Sequence, residues 1–296
     1  MKKTLRALLC VITILGLLMT PALASEEEPF REILPEPAFA IGPQWTEQEV
    51  QLQSVLGTLR GTLTIPKEVT GTLPVAILLH GVNTDRHWCD DIAWCLADHG
   101  IASVRFDFGG NGLSDGAQQD MTITSEVRDT MTILDYVECL SFADKDNIFL
   151  IGKSLGAVAA TVAASARGDE IKAMCLWYAG FSAQFSARFG YLLGEFFNPF
   201  DPPETLEIAG YTYGREFLRE TVSLNFTDAV ESCRQPVLLI HGDRDYIAPL
   251  VGSLWAQAHF PNAELHVVPG GGHGFWLAQE LFALTDMLGF LEQQME

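Results

Sequence analysis

The sequence predicts an α/β fold on a mainly parallel sheet of eight strands, and three observations carry that reading. Short apolar segments alternate with longer segments of helical periodicity along most of the chain. One apolar strand runs directly into Gly152-Lys153-Ser154-Leu155-Gly156 and then into an alanine-rich stretch, the strand–turn–helix context in which G-x-S-x-G is informative. Two later strands end in loops that carry acids and a histidine, at the carboxyl edge where sheets of this class build their sites.

The elements follow in order. Residues 48–55 and 58–65, with Gly57 between them, read as an antiparallel edge pair. The remaining strands are Val75–Leu79, Ala102–Phe106, Ile148–Ile151, Ala173–Tyr178, Val237–Ile240 and Leu265–Val268, with helices at 122–140, 155–166, 250–259 and 275–293. One core with eight strands fits residues 46–296. The exception is 179–233, where no strand signal returns until Val237 and the interval is too long for a plain connection. It holds a concentration of aromatics, broken in the middle by Asn198-Pro199-Phe200-Asp201-Pro202-Pro203, and reads as a cap inserted after the sixth strand.

Composition bounds the rest. The 296 residues carry 18 Lys+Arg against 38 Asp+Glu, a formal charge of −20; 48% are hydrophobic and 19% charged, which allows a large core and excludes global disorder. An acidic surface repels phosphate backbones and argues against a nucleic-acid partner. Lys2, Lys3 and Arg6, the apolar run Ala7–Met19 and the small-residue site Ala22-Leu23-Ala24 have the layout of a secretory signal peptide. The run is short for a membrane anchor. Residues 1–24 are therefore expected to be removed and the protein exported to the periplasm or medium, without stable membrane association. Removal takes three positive charges and no acid, leaving −23. Residues 25–45, rich in Glu and Pro, read as a flexible leader. The five remaining cysteines, Cys89, Cys95, Cys139, Cys175 and Cys233, are odd in number, show no metal-binding spacing, and read as free thiols.

The chemistry centres on Ser154. A serine on a sharp strand-to-helix turn needs glycines on both sides, because a side chain there collides with crowded backbone. The Gly-Lys-Ser within it is not a phosphate loop: position 147, where that motif needs glycine, is Asn, and the strand fills the loop's place. A serine hydroxyl needs a base and an orienting acid. His273, between glycines after the last strand, is the candidate base; Asp243 and Asp245, two apart after Val237–Ile240, are the candidate acids, with Asp245 preferred. The backbone N–H of Leu155 and of Val82 are the candidate oxyanion-hole donors; Gly81 permits close approach to the substrate, and His80 braces its loop. The cap aromatics Tyr178, Phe181, Tyr211 and Tyr213 are candidates to roof an aromatic or apolar acyl group.

On His80-Gly81, Gly152-Lys153-Ser154-Leu155-Gly156, Gly242-Asp243-Arg244-Asp245 and Gly271-Gly272-His273, the chain resembles the α/β-hydrolase superfamily over roughly residues 46–296. The acid there stands three residues after the glycine and four before a proline, which selects Asp245 between Gly242 and Pro249. Residues Ile101–Gly116, with Met121-Thr122, resemble bacterial cinnamoyl and feruloyl esterases, which also carry a cap between the same two strands. Lys153 departs from that pattern, where His is frequent, and is expected to add a cation beside the site. The resemblance implies a serine hydrolase cleaving a small-molecule carboxylic ester through an acyl-enzyme, without metal or organic cofactor, and the signal-peptide reading implies its export. The alternatives are a small aminopeptidase of the prolyl-oligopeptidase type, an acyltransferase or a thioesterase, and a catalytically silent binding module.

Overall fold

The computed structural model describes residues 44–67 and 71–296. The predicted signal peptide and nearly all of the predicted leader lie outside them. Eight strands form one sheet: β1 (Trp45–Ser54), β2 (Gly57–Pro66), β3 (Leu73–Leu79), β4 (Ala102–Phe106), β5 (Ala143–Lys153), β6 (Ala173–Trp177) and, after the insertion, β11 (Val237–Gly242) and β12 (Ala263–Val268), in the spatial order β1-β2-β4-β3-β5-β6-β11-β12. The β2 strand runs antiparallel to both its neighbours, and every other pairing from β4 to β12 is parallel.

The period-two alternation of the central strands builds two cores. Val75, Ile77 and Leu79 of β3 face one side, with α2 (Ile123–Cys139) and α3 (Leu155–Arg167); Ala76 and Leu78 face the other, with α1 (Asp90–Asp98) and α8 (Ala278–Met295). The central strands read as unbroken apolar runs because both faces are covered. Helix α2 starts at a reciprocal cap: Thr122 Oγ1 accepts from Ser125 N–H at 3.0 Å and Ser125 Oγ from Thr122 N–H at 2.9 Å. Helix α1 is an addition to the helices predicted from the sequence, and α7 (Val251–His259) follows β11.

Between β6 and β11 the chain does contain strands. Helix α4 (Ala183–Ala187) leads to β7 (Tyr191–Leu192) paired with β8 (Glu195–Phe196); β9 (Thr205–Ile208) pairs with β10 (Tyr211–Gly214); α5 (Arg215–Ser223) and α6 (Thr227–Ser232) complete the segment. Both hairpins turn on two residues at positive φ, Leu193-Gly194 at 49° and 100° and Ala209-Gly210 at 53° and 83°. A two-residue turn of this kind is normally signalled by Asn-Gly or Asp-Gly. Leu and Ala in the first place, on strands of two and four residues, explain the silence of the sequence. Among the described residues, no helix is long and apolar enough to cross a membrane, and the five cysteines described are free.

Candidate active site

Strand β5 ends at Lys153, and Ser154 follows at φ 55°, ψ −115° before α3 begins. This is a backbone region that side chains rarely adopt. The neighbours over-determine it. A Cβ on Gly152 would lie 2.6 Å from the Ala157 backbone, and one on Gly156 2.4 Å from both the Leu79 and His80 carbonyl oxygens. Ser154 N–H donates to Trp177 O at 3.0 Å, and Ser154 O accepts from Gly180 N–H at 3.0 Å. The elbow is thus clamped between β3 and the end of β6.

The loops after β11 and β12 bring the predicted partners to it. Ser154 Oγ lies 3.0 Å from His273 Nε2, and His273 Nδ1 2.7 Å from Asp245 Oδ2. Because a carboxylate only accepts, Nδ1 carries the hydrogen and Nε2 is left to accept from the serine hydroxyl. Asp245 Oδ1 accepts from Ile247 N–H at 2.9 Å and Ala248 N–H at 2.8 Å. His241, fully buried, adds a partner that the motifs do not single out. Its Nε2 lies 2.7 Å from Ala248 O and 3.2 Å from Asp245 Oδ2, while Nδ1 meets Ser253 Oγ at 2.7 Å. Burial alone would raise the Asp245 pKa; the hydrogen bonds from His241, His273 and Ala248 outweigh it and hold the carboxyl well below the ordinary carboxylate range. The signal for His241 was its place on β11 four residues before the acid. Asp243 acts elsewhere. Exposed, it accepts from Gly270 N–H at 2.7 Å and ties down the loop that carries His273.

Gly81, after β3, lies against Ser154: a Cβ on it would sit 2.9 Å from Ser154 Cβ. The orientation of the Gly81–Val82 peptide is fixed from behind. Phe108 N–H donates to His80 Nε2 at 3.0 Å, so the hydrogen of this buried imidazole is on Nδ1, which donates to Gly81 O at 2.7 Å. Burial, the largest cause, pushes the His80 pKa down and keeps the ring neutral. Thr84 Oγ1 donates to the same carbonyl at 2.7 Å. In a trans peptide the N–H points opposite to the C=O, so Val82 N–H faces away from His80 and Thr84. Leu155 N–H is the first of α3 and has no intrahelical acceptor.

Val82, Leu155, Ser154 and His273 all line one cavity of about 820 Å³ that runs beneath the segment between β6 and β11. Its walls are Trp88, Ile123, Val158, Leu192, Ile208 and Phe217 among others, and among the described residues no Asp, Glu, Lys or Arg lines it. Here the predicted roof is corrected. Tyr178, Phe181, Tyr211 and Tyr213 do not line the cavity. Tyr178 is buried beneath the site, its ring 5.1 Å from those of His273 and Phe275. Phe181 is fully buried against Phe226, Trp255 and Phe260. Tyr211 is exposed on its hairpin, and Tyr213 is fully buried with its hydroxyl on Asn83 Oδ1. Phe181 and Tyr213 are buried in the packing beneath and within the cap, Phe189, Phe196 and Phe200 are exposed, and the aliphatic Leu192, Leu193 and Ile208, with Phe185, Tyr191, Phe217 and Phe226, face the cavity. Lys153 is also corrected: it does not line the cavity, and its Nζ is buried on Trp88 O at 2.6 Å, between the rings of Trp88 and Trp177 at 5.3 and 5.2 Å.

Comparisons with known proteins agree with this architecture. The family described as serine aminopeptidase, S33, matches residues 72–206. The structure of Est1E from Butyrivibrio proteoclasticus with ferulic acid bound is similar, at 28% identity over 81% of this chain and 96% of that one, with a TM-score of 0.76. Acetyl xylan esterase from Paenibacillus sp. R4 shares the fold at 18% identity, covering 86% of each chain with a TM-score of 0.68. Pimeloyl-[acyl-carrier protein] methyl ester esterase from Nitrosomonas europaea is 48% identical over 44 residues, a match spanning 15% of this chain and 18% of that protein.

Proposed function

Because the chain is an α/β hydrolase of esterase-like kind, we propose that it is an exported serine carboxylester hydrolase acting on esters of apolar or aromatic acids, hydroxycinnamoyl esters included. One observation carries this reading: the cavity that opens on Ser154 and His273 is apolar, with no charged side chain in its wall among the described residues. In this proposal Ser154 Oγ attacks the ester carbonyl while His273 Nε2 takes its proton. Asp245 holds the imidazole in the required tautomer and stabilises its charged form. Val82 and Leu155 N–H receive the oxyanion. His273 returns the proton to the leaving alcohol, and water then releases the acid from the acyl-enzyme. The volume is in the range of pockets that enclose a small organic molecule, and ferulic acid in a similar structure supports the aromatic acyl group.

The description of the matching family favours a second reading, an aminopeptidase. That substrate brings an α-ammonium group, which is costly to bury without an anionic partner, and the cavity supplies none among the described residues. A chromogenic panel of short acyl, long acyl, hydroxycinnamoyl and aminoacyl compounds separates the two. Esters are expected to turn over and aminoacyl amides to be poor; amides faster than every ester would overturn the proposal. A fluorophosphonate is expected to label the wild type and not Ser154→Ala.

A further inference from the structure

The structure assigns to Tyr213 and Gln118 a positioning role: they lock the loop that presents Val82 N–H, so that the oxyanion hole is complete only while the cap hairpin β9–β10 is docked. This rests on the reading of the site as a serine hydrolase. Tyr213, on β10, is fully buried, and its hydroxyl donates to Asn83 Oδ1. Gln118, on the turn before α2, donates from Nε2 to the same Oδ1 at 3.0 Å and lies 3.5 Å from the Tyr213 hydroxyl. Two donors from separate parts of the chain, one of them in the cap, thus converge on a single oxygen of the residue next to Val82. The hairpin is seated closely on the turn, since a Cβ on Gly214 would lie 2.1 Å from Gln119 O.

The pinned residue turns the loop through a left-handed backbone. Asn83 has φ +59°, a left-handed conformation that costs most side chains energy and that Asn tolerates best. That reversal brings Thr84 back over the loop, where its hydroxyl reaches Gly81 O at 2.7 Å. Gly81 O, held there and by His80 Nδ1, sets the plane of the Gly81–Val82 peptide and hence the direction of Val82 N–H. The relay runs from Tyr213 and Gln118 to Asn83, to Thr84, to that peptide. Without the two donors the loop relaxes at Asn83 and Thr84 leaves Gly81 O, so the peptide is held by His80 alone and tilts, and the oxyanion loses an aligned donor while the cavity wall stays in place.

The test compares Tyr213→Phe, Gln118→Ala and Asn83→Gly with the wild type on one ester. Asn83→Gly keeps the left-handed backbone and removes the tether; Asn83→Asp keeps an acceptor and is the rescue. Expected for Tyr213→Phe is a fall in kcat of about 10-fold or more, with KM within about twofold, an unchanged Tm, and a matching loss of affinity for a trifluoromethyl ketone that fills the hole as a tetrahedral adduct. Asn83→Gly should lose as much, Tyr213→Phe added to it should lose little more, and Asn83→Asp should retain most of the rate. If Tyr213→Phe does not fold, Gln118→Ala carries the same expectation. Unchanged kcat in these variants, or a loss that appears only as a lowered Tm, overturns the assignment while leaving the hydrolase reading intact. A wild type that neither hydrolyses esters nor labels with fluorophosphonate overturns both.

Discussion

Ser154, His273 and Asp245 each occupy a state that their surroundings impose. The serine is strained, the imidazole is held in one tautomer, and the carboxylate is ionised although largely buried. Replacing Asp245 by Asn would put an amide against His273 Nδ1, which favours the hydrogen on Nε2 and removes the acceptor for the serine proton. The expected result is a drop in kcat of about 10³–10⁴-fold with KM little changed, measured by steady-state hydrolysis of the best ester. The same residue bears on acid stability. Its pKa is lowered on folding, so its contribution is present above the unfolded-chain value of about 3.9 and is lost as the pH falls towards the folded value. Lys153, one residue before Ser154, does not line the cavity. Its ammonium, seated on the Trp88 carbonyl between two indoles, fastens the loop whose Trp88 ring lines the cavity.

Helix α2 carries an unusual burden at the scale of elements. Glu126 is fully buried in its first turns, and neither carboxyl oxygen has a hydrogen-bond partner. Burial, then the nearby Asp129 and Glu220, push its pKa well above the ordinary value, with Glu220 reaching in from α5 of the cap. The folded protein therefore holds a proton that the unfolded chain has released above about 4.3, and stability falls as pH rises from there towards the folded pKa. Glu126→Gln removes that dependence. Between pH 5 and 8 the Tm of the wild type is expected to decline more than that of the variant, by about 2–4 °C for each kcal/mol, read by calorimetry across the pH series. Other elements were legible to the degree that their signals are local. The central strands follow from apolar runs and the elbow from its glycines, of which Gly152 is required by Ala157 five residues on and Gly156 by the end of β3. The cap hairpins turn on Leu193-Gly194 and Ala209-Gly210, pairs with no strong turn signature. The cap aromatics were visible as a concentration, but that Phe181 turns away from the cavity depends on Trp255 and Phe260 far along the chain. Asn83 carried no sign of its role, because its partners Tyr213 and Gln118 are brought together only by the fold.

The molecule as a whole is strongly acidic, with a formal charge of −20, yet among the described residues the cavity beside Ser154 carries no Asp, Glu, Lys or Arg. Charge therefore acts on approach rather than on fit. Between low and physiological salt, kcat/KM for an anionic ester is expected to rise and that for a cationic ester to fall, each by about threefold or more, while a neutral ester of the same acyl group stays level. Matched esters that all respond alike would count against steering. The distribution of the reacting groups along the chain has another consequence. Ser154 lies near the middle of the chain, Asp245 follows β11, and His273 arrives only after the last strand, with α8 still to come. On the proposed mechanism, a chain interrupted between Ser154 and His273 has the nucleophile without its base. On that mechanism such an unfinished copy is expected to lack hydrolytic power, so the order of synthesis would itself act as a safety catch.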